Sequence, residues 1–247
     1  MSGVTALRAR GDTEVSAVAY RCGSSEEREI AVDNLLLHQG VVPNVNLAMS
    51  IGIEHRWDES RLCWNPALDD DGTSAVEGIA IAGDGAGIAG AEAARWRGVI
   101  AGIAAAKALG ASVAVGEEST ARRELARALR GRAFLDALYR PADTFRQPTG
   151  DTIVCRCEEI TARQIDETLA LGCPGPNQMK AFLRCGMGPC QGRLCGLTVT
   201  ELIANRRGVS PQEVGYYRLR PPVKPITVGE LAALPKTEAA VKAVVRI

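Results

Sequence analysis

Aromatic residues are scarce in this chain: 3 Phe, 3 Trp and 4 Tyr make up 4% of 247 residues. A core built on large rings is therefore excluded, and 26 Gly with abundant Ala point to close backbone packing of helices against strands. No stretch reaches the roughly 18 uncharged apolar residues that a bilayer crossing needs. The nearest run, 90–110, is interrupted by Glu92, Arg95, Arg97 and Lys107. The opening Met-Ser-Gly-Val-Thr-Ala-Leu-Arg lacks the apolar centre of a secretory leader, so a cytoplasmic, reducing location is expected. Net charge is zero, from 29 basic and 29 acidic residues, which argues against nucleic-acid and anionic-membrane partners. The balance hides a split: residues 1–150 carry 16 Lys/Arg against 20 Asp/Glu, and residues 151–247 carry 13 against 9. A hydrophobic content of 46% excludes disordered, collagen-like and coiled-coil classes and suffices for one large domain or two modest ones.

The pattern of apolar residues and turn signals predicts short strands over 15–20 and 30–38 around a polar turn at 23–28, a hairpin or meander that opens the chain. A short helix is expected at 45–49. Gly78-Ile-Ala-Ile-Ala82 reads as a buried strand ending in Gly83-Asp-Gly-Ala-Gly87. An Ala-rich helix over about 90–109 follows, with Gly98 and Gly102 on one face to admit a neighbouring backbone. Arg-rich 117–146, periodic in Leu125, Leu129, Phe134 and Leu138, reads as an exposed amphipathic helix leading to a linker at 140–150. Beyond a boundary near 145–151, Thr161-Ala-Arg-Gln164 predicts a capped helix stopping at Gly172, with further helices over 177–183 and 192–205. Ser210-Pro-Gln-Glu213 and Thr227-Val-Gly-Glu230 repeat the capping signature.

Eight cysteines in a reducing compartment point to metal or redox chemistry more than to disulfides, and six of them fall between 155 and 195. Cys155-Arg-Cys157, 32 intervening residues and Cys190-Gln-Gly-Arg-Leu-Cys195 supply two tight pairs that a helical hairpin would bring together. Four thiolates are what a [2Fe-2S] cluster requires. Residues two apart converge only where the backbone turns, so the first pair is expected in a loop before Thr161. The second pair should run from the turn at Gly186-Met-Gly-Pro-Cys190 into the start of the next helix. Arg156, Lys180, Arg184 and Arg193 are placed to offset the negative charge of such a centre. Zinc is the rival ion, although structural zinc pairs more often have two to four residues between the cysteines. Cys173 and Cys185 stand outside the four; Cys185 reads as a thiol packed beside the centre or as a substitute ligand.

Ile153-Val-Cys-Arg-Cys-Glu-Glu-Ile160 together with Arg184-Cys-Gly-Met-Gly-Pro-Cys-Gln-Gly-Arg-Leu-Cys195 resembles the bacterioferritin-associated-ferredoxin-like (BFD-like) [2Fe-2S] domain of flavoprotein subunits of the opine oxidase, hydrogen cyanide synthase and hydroxyproline or proline dehydrogenase group. The resemblance spans about 151–207, and the tail from Tyr217 to Leu231 is similar to that group's C-terminal extension. It implies Cys155, Cys157, Cys190 and Cys195 as cluster ligands.

The second signal is Ile79-Ala-Ile-Ala-Gly83-Asp84-Gly85-Ala-Gly87-Ile88. A carboxylate at a strand end can accept hydrogen bonds from a polyol, and glycines beside it let a cofactor approach the backbone at a helix N-terminus. The segment resembles the second flavin motif of two-dinucleotide-domain flavoproteins, which implies FAD contacts at Gly83, Asp84, Gly85, Gly87 and Ile88. Leu35 to Pro43 resembles the passage between the two nucleotide domains, with His38 a polar junction residue. No Gly-x-Gly-x-x-Gly turn precedes Asp84, so only part of an FAD site is expected here, the rest lying in a longer form of the chain or in a partner. His55 and Asp69 to Asp71 read as solvated loop residues.

The expected fold class is α/β, a partial two-dinucleotide-binding-domain flavoprotein, followed by a small, mainly α BFD-like [2Fe-2S] domain. The expected divisions are 1–115 for the nucleotide-type portion, 116–150 for the Arg-rich helix and linker, 151–207 for the cluster domain and 208–247 for an extension. By resemblance the chain relays electrons from a flavin for an amine, opine or imino-acid dehydrogenase or oxidase, with a flavoprotein partner subunit. The alternative is a non-enzymatic zinc- or cluster-binding module on an inactive flavin-domain remnant. Exposed apolar surface is expected on the first portion.

Overall fold

The protein is seen in a computed structural model that describes residues 3–38, 40–235, 237–239 and 242. The chain opens on an antiparallel three-stranded meander, β1 (Val4–Arg10), β2 (Ala17–Cys22) and β3 (Arg28–Ala31), in which β2 is central and pairs Tyr20 with Leu7 and Val18 with Ile30. Ala17 to Tyr20 are buried, as the middle strand of a meander should be. The first strand was not predicted: its alternation is faint, and Arg8 and Arg10 mark it as an edge. The predicted second strand is cut short at Ala31. Without a neighbour to pair with, Leu35 to Leu37 run on as coil, and Leu36 is 94% exposed.

A short helix α1 (Asn46–Ser50) and a hairpin of β4 (His55–Asp58) and β5 (Cys63–Pro66) follow, with Trp57 opposite Trp64. The buried strand expected over 78–82 is absent. That segment forms only one isolated bridge, Thr73 with Ala80, and Ala80 is exposed. A continuous small-apolar strand needs paired neighbours on both edges, and the sheets of the described residues are small and antiparallel. The content is mixed α and β, without a parallel sheet among the described residues.

Helix α2 (Ala91–Ala108) lies where it was predicted and packs through Ala93, Ile100 and Ile103. Its neighbour is α3 (Glu117–Ala128), whose Ala121 is fully buried. Gly98 and Gly102 face open space, so the close approach expected there is not made. The single helix expected over 117–146 is three: α3, α4 (Arg132–Leu138) and α5 (Asp143–Arg146). Gly131 ends the run, because its left-handed backbone (φ 76°) cannot continue a helix.

The remainder follows the predicted order closely. Strands β6 (Ile153–Cys155) and β7 (Ile160–Thr161) form a small hairpin. Helix α6 (Ala162–Ala170) opens on the full Thr161/Gln164 capping box. Helices α7 (Pro176–Leu183) and α8 (Gly196–Arg207) come next, then α9 (Pro211–Val214) and α10 (Val228–Ala232), the last two each opening on a capping box. Ile165, Met179, Val199, Leu202 and Ile203 are wholly buried in one cluster with Cys155, Cys185 and Cys195. Each such aliphatic side chain contributes about 1.5–3 kcal/mol of burial, so the cysteines sit in the best-packed part of the chain.

Polar contacts tie the two portions together. Asn46 Nδ2 donates to the Gln191 carbonyl at 2.8 Å, the Trp57 amide donates to Gln212 Oε1 at 2.7 Å, and Arg146 pairs with the buried Glu201. The first portion leaves Leu36, Leu37, Val41, Leu47, Leu109 and Val115 largely uncovered, as expected. No helix of the described residues is long and apolar enough to cross a membrane.

Candidate metal centre and flavin-side turn

The β6–β7 hairpin presents the first cysteine pair. Cys155 closes β6, and residues 156–159 turn back into β7, with Glu159 in the left-handed region (φ 55°). This is the backbone turn that two cysteines one residue apart require in order to converge. The second pair lies on a tight loop between α7 and α8, where Arg184, Gly186, Gln191 and Gly192 all have positive φ. Cys195 is the residue from which α8 starts.

The two loops meet at Gly188. A Cβ there would lie 2.2 Å from the Cys157 Cβ and 3.2 Å from its Sγ, so only glycine allows the loops this close. Cys157 and Cys190 touch through their thiols, and the Cys190 amide also faces the Cys157 sulfur. Deeper in, the Sγ atoms of Cys155, Cys185 and Cys195 all lie within 4.8 Å of one another, fully enclosed. Five thiols therefore gather at one place, and the sixth of the cluster, Cys173, is apart, with its Sγ 3.4 Å from the Gly175 carbonyl. All eight thiols of the chain are free.

The electrostatics fit a cationic centre. Hydrogen bonding with Cys185, then burial, holds Cys195 far above the ordinary thiol range. The Cys190 amide favours ionisation of Cys157, but the Cys190 thiol, burial and the Cys155 sulfur outweigh it and raise the group. Burial opposes ionisation of Cys190 as well, yet the Leu194 and Gly192 amides and the Cys157 thiol prevail and lower it. Packed thiols discourage each other's ionisation, and a bound cation reverses that. This set of soft sulfur donors suits iron-sulfur or zinc chemistry and not a hard cation. Of the expected charge-balancing cations, Arg184 pairs with Glu158 at 3.2 Å and Arg156 is exposed. Arg193 reaches the Val223 carbonyl, and Lys180 lies 4.7 Å above the Tyr217 ring.

Sequence reasoning missed the tyrosines. Tyr217 is 2% exposed and its hydroxyl reaches Cys185 and Cys195, while Tyr216 connects edge-on to both Tyr217 and Trp64. The available signal was the sole Tyr-Tyr pair of an aromatic-poor chain, lying in the tail beyond the cysteine loop.

On the flavin side, Gly83–Ala86 form a 3-10 turn with Asp84 exposed. Gly87 is buried against Asn65, Arg61 and Arg97, and Arg97 donates to its carbonyl. The expected strand, turn and helix are thus reduced to turn and helix. Gly90 leads into α2 without a side-chain cap, so amides at the helix start are free of side-chain partners. Ile88 lines a cavity of 390 Å³ together with His38, Val42, Arg132, Tyr139 and Glu201. Burial lowers Arg97 from its ordinary value, with Arg61 adding to the shift and Asp84 opposing it.

His38 is exposed, its Nδ1 accepting from the Gly40 amide at 3.2 Å. The expectation for His55 is overturned. It is 8% exposed on β4, with Nδ1 2.8 Å from the Ile53 carbonyl, and burial lowers its pKa despite that bond. It lines a cavity together with Met49, Trp64 and the tail residues Gln212 and Tyr216, a neighbourhood that no local pattern around position 55 could reveal. Asp69 and Asp70 are exposed, as expected, whereas Asp71 is half-buried and pairs with Arg122.

Comparison with known proteins places this architecture. The sarcosine oxidase A3 domain family matches residues 149–234, so the matched unit includes the tyrosine-bearing tail as well as the cysteine loops. An opine oxidase subunit from Rhizobium meliloti is 49% identical across 99% of this chain and 47% of its own length. Hydrogen cyanide synthase subunit HcnB from Pseudomonas protegens is 29% identical across 89% of this chain and 49% of its own. The crystal structure of L-proline dehydrogenase from P. horikoshii superposes with a TM-score of 0.71 at 23% identity, covering 93% of this chain and 44% of that one. The chain spans about half the length of the curated relatives it matches. Its similarity to the opine oxidase subunit, to HcnB and to the sarcosine oxidase A3 domain supports an FAD-dependent oxidoreductase subunit group.

Proposed function

We propose that this chain is the electron-relaying part of a flavin-dependent dehydrogenase or oxidase acting on an amine, opine or imino acid, with a [2Fe-2S] cluster held by Cys155, Cys157, Cys190 and Cys195. The observation that carries the reading is the convergence of two cysteine-bearing loops through Gly188. The group's relatives, HcnB and the opine oxidase subunit among them, support the oxidoreductase class. When bound, a cluster supplies one-electron transfer, which complements a flavin that takes two electrons and releases them singly.

The chain's own residues do the following. Cys155 and Cys195 anchor the inner side in the apolar core, excluding water. Cys157 and Cys190, both partly exposed, form the outer side, where an electron carrier would approach. The free amides of the 184–195 loop point donors at the sulfurs, as with Leu194 and Gly192 toward Cys190. We place 151–207 with its tail as the cluster unit. Gly83, Asp84, Gly85, Gly87 and Ile88 would form one side of an FAD site completed by a flavoprotein partner or a further segment. Eight free thiols fit a reducing, cytoplasmic setting.

The buried triad of Cys155, Cys185 and Cys195 favours a second reading, a zinc site of an interaction module. Single Cys→Ser variants separate the two. In the cluster reading Cys155, Cys157, Cys190 and Cys195 are each needed for visible absorbance and iron, and Cys173→Ser and Cys185→Ser keep both. Loss that follows Cys155, Cys185 and Cys195 while sparing Cys157 and Cys190 would replace it with the triad.

A further inference from the structure

Tyr217 brings a buried hydroxyl to the centre. Its segment is fixed before its side chain is considered: Asn177 on α7 accepts from the Arg218 amide at 2.7 Å and donates to the Tyr216 carbonyl at 3.1 Å, and Lys180 Nζ donates to the Arg218 carbonyl at 3.1 Å. The ring then packs against the cysteine loop. A Cβ at Gly186 would stand 2.4 Å from it and one at Gly192 2.7 Å, so the two glycines leave a slot shaped for this ring. Tyr216 closes one side edge-on at 5.7 Å, and the Lys180 ammonium sits 4.7 Å above the ring centroid.

This packing delivers the hydroxyl to sulfur. It lies 3.6 Å from Cys185 Sγ and 3.9 Å from Cys195 Sγ, with no oxygen or nitrogen partner among the described residues. A buried phenol without a good acceptor is destabilising, and a neutral thiol is a weak acceptor. A metal-bound thiolate is a strong one, so the arrangement makes chemical sense once the cysteines carry charge. Lys180 over the ring draws electron density from it and strengthens the O–H as a donor.

We propose that Tyr217 is a positioning residue whose hydroxyl, lying between Cys185 and Cys195, donates a hydrogen bond to the sulfur of the proposed ligand Cys195 and thereby sets the redox potential of the cluster. The inference rests on the cluster reading above. A hydrogen bond to a ligand sulfur stabilises the reduced, more negative form more than the oxidised one, so it raises the potential. If Tyr217 served only to fill the slot, phenylalanine would serve equally.

The test uses the full chain reconstituted with iron and sulfide. Tyr217→Phe keeps the ring and removes the hydroxyl; iron and sulfide content should match wild type, while the midpoint potential from a spectroelectrochemical titration moves to more negative values. Tyr217→3-fluorotyrosine gives a more acidic phenol with the ring in place, and its midpoint should move the other way. It also keeps the proposal testable if the phenylalanine variant does not fold. Midpoints equal to wild type in loaded protein overturn the inference and leave the cluster intact. Wild-type protein that takes up no iron and sulfide overturns the cluster reading itself, and this one with it.

Discussion

Replacing Arg146 by methionine tests whether α5 is fastened to α8 through a buried charge. Arg146 and Glu201 have side chains only 16% and 5% exposed, and the guanidinium Nε lies 3.1 Å from Glu201 Oε1. Glu201 lies on α8 facing the cavity it shares with Arg146, and its 5% exposure leaves the guanidinium as the partner that compensates its charge. Removing one partner of a buried pair leaves an uncompensated charge and costs about 3–5 kcal/mol. With about 2–4 °C of Tm per kcal/mol for a chain of this size, the loss is roughly 6–20 °C. Burial already holds the Glu201 carboxyl above the usual carboxylate range, and Arg146 opposes that shift. Without Arg146 the carboxyl rises further. A carboxyl with a raised folded pKa binds more protons folded than unfolded between the two values, so its contribution is present in acid and is lost as pH rises through the folded pKa. Arg146→Met should therefore be most destabilised at about pH 8 and regain part of the loss at about pH 5. Thermal and urea unfolding followed by circular dichroism would measure this. Arg163→Met serves as the control, because Arg163 and Asp151 are 58% and 78% exposed and their pair is solvent-screened. Equal losses in the two variants, or a greater loss in acid, would refute the reasoning.

Two further outcomes follow from packing. Gly188→Ala places a methyl group 2.2 Å from Cys157 Cβ. Over-packing of this kind costs about 1–3 kcal/mol, and because a proposed ligand is displaced, iron retention should fall by more than half while far-UV circular dichroism is kept; full iron content would contradict the loop geometry. Burial, with Asp58 adding, pushes the Cys63 thiol up to about 11. At about pH 8 on the order of 0.1% is thiolate, so a disulfide reagent should label Cys63 only after unfolding, as peptide mapping would reveal, and rapid labelling of the native protein would count against its burial.

The second portion was legible in the sequence because its signals are local. The Thr161, Ser210 and Thr227 capping boxes fix helix starts through atoms three residues apart, and Gly172 marks the end of its helix. The cysteine spacing likewise pointed to the loops that meet at Gly188. The first portion was less legible because its features depend on distant partners. Residues 78–82 have a strand's composition but no paired neighbours, and Leu35 to Leu37 continue an apolar run with no sheet to join. His55 shares a cavity with residues of the tail, and Tyr217 reaches the cysteines across 22 residues of chain. The inclusion of Cys185 in the buried triad also depends on how the loop folds, which spacing alone left open.

The central claim is most directly tested by metal and acid-labile sulfide analysis of anaerobically purified protein, with electron paramagnetic resonance of the dithionite-reduced sample. The account predicts iron and sulfide in equal amounts, about two of each per chain, a brown colour, and a spectrum that appears only on reduction. Stoichiometric zinc in a colourless, folded protein would contradict it.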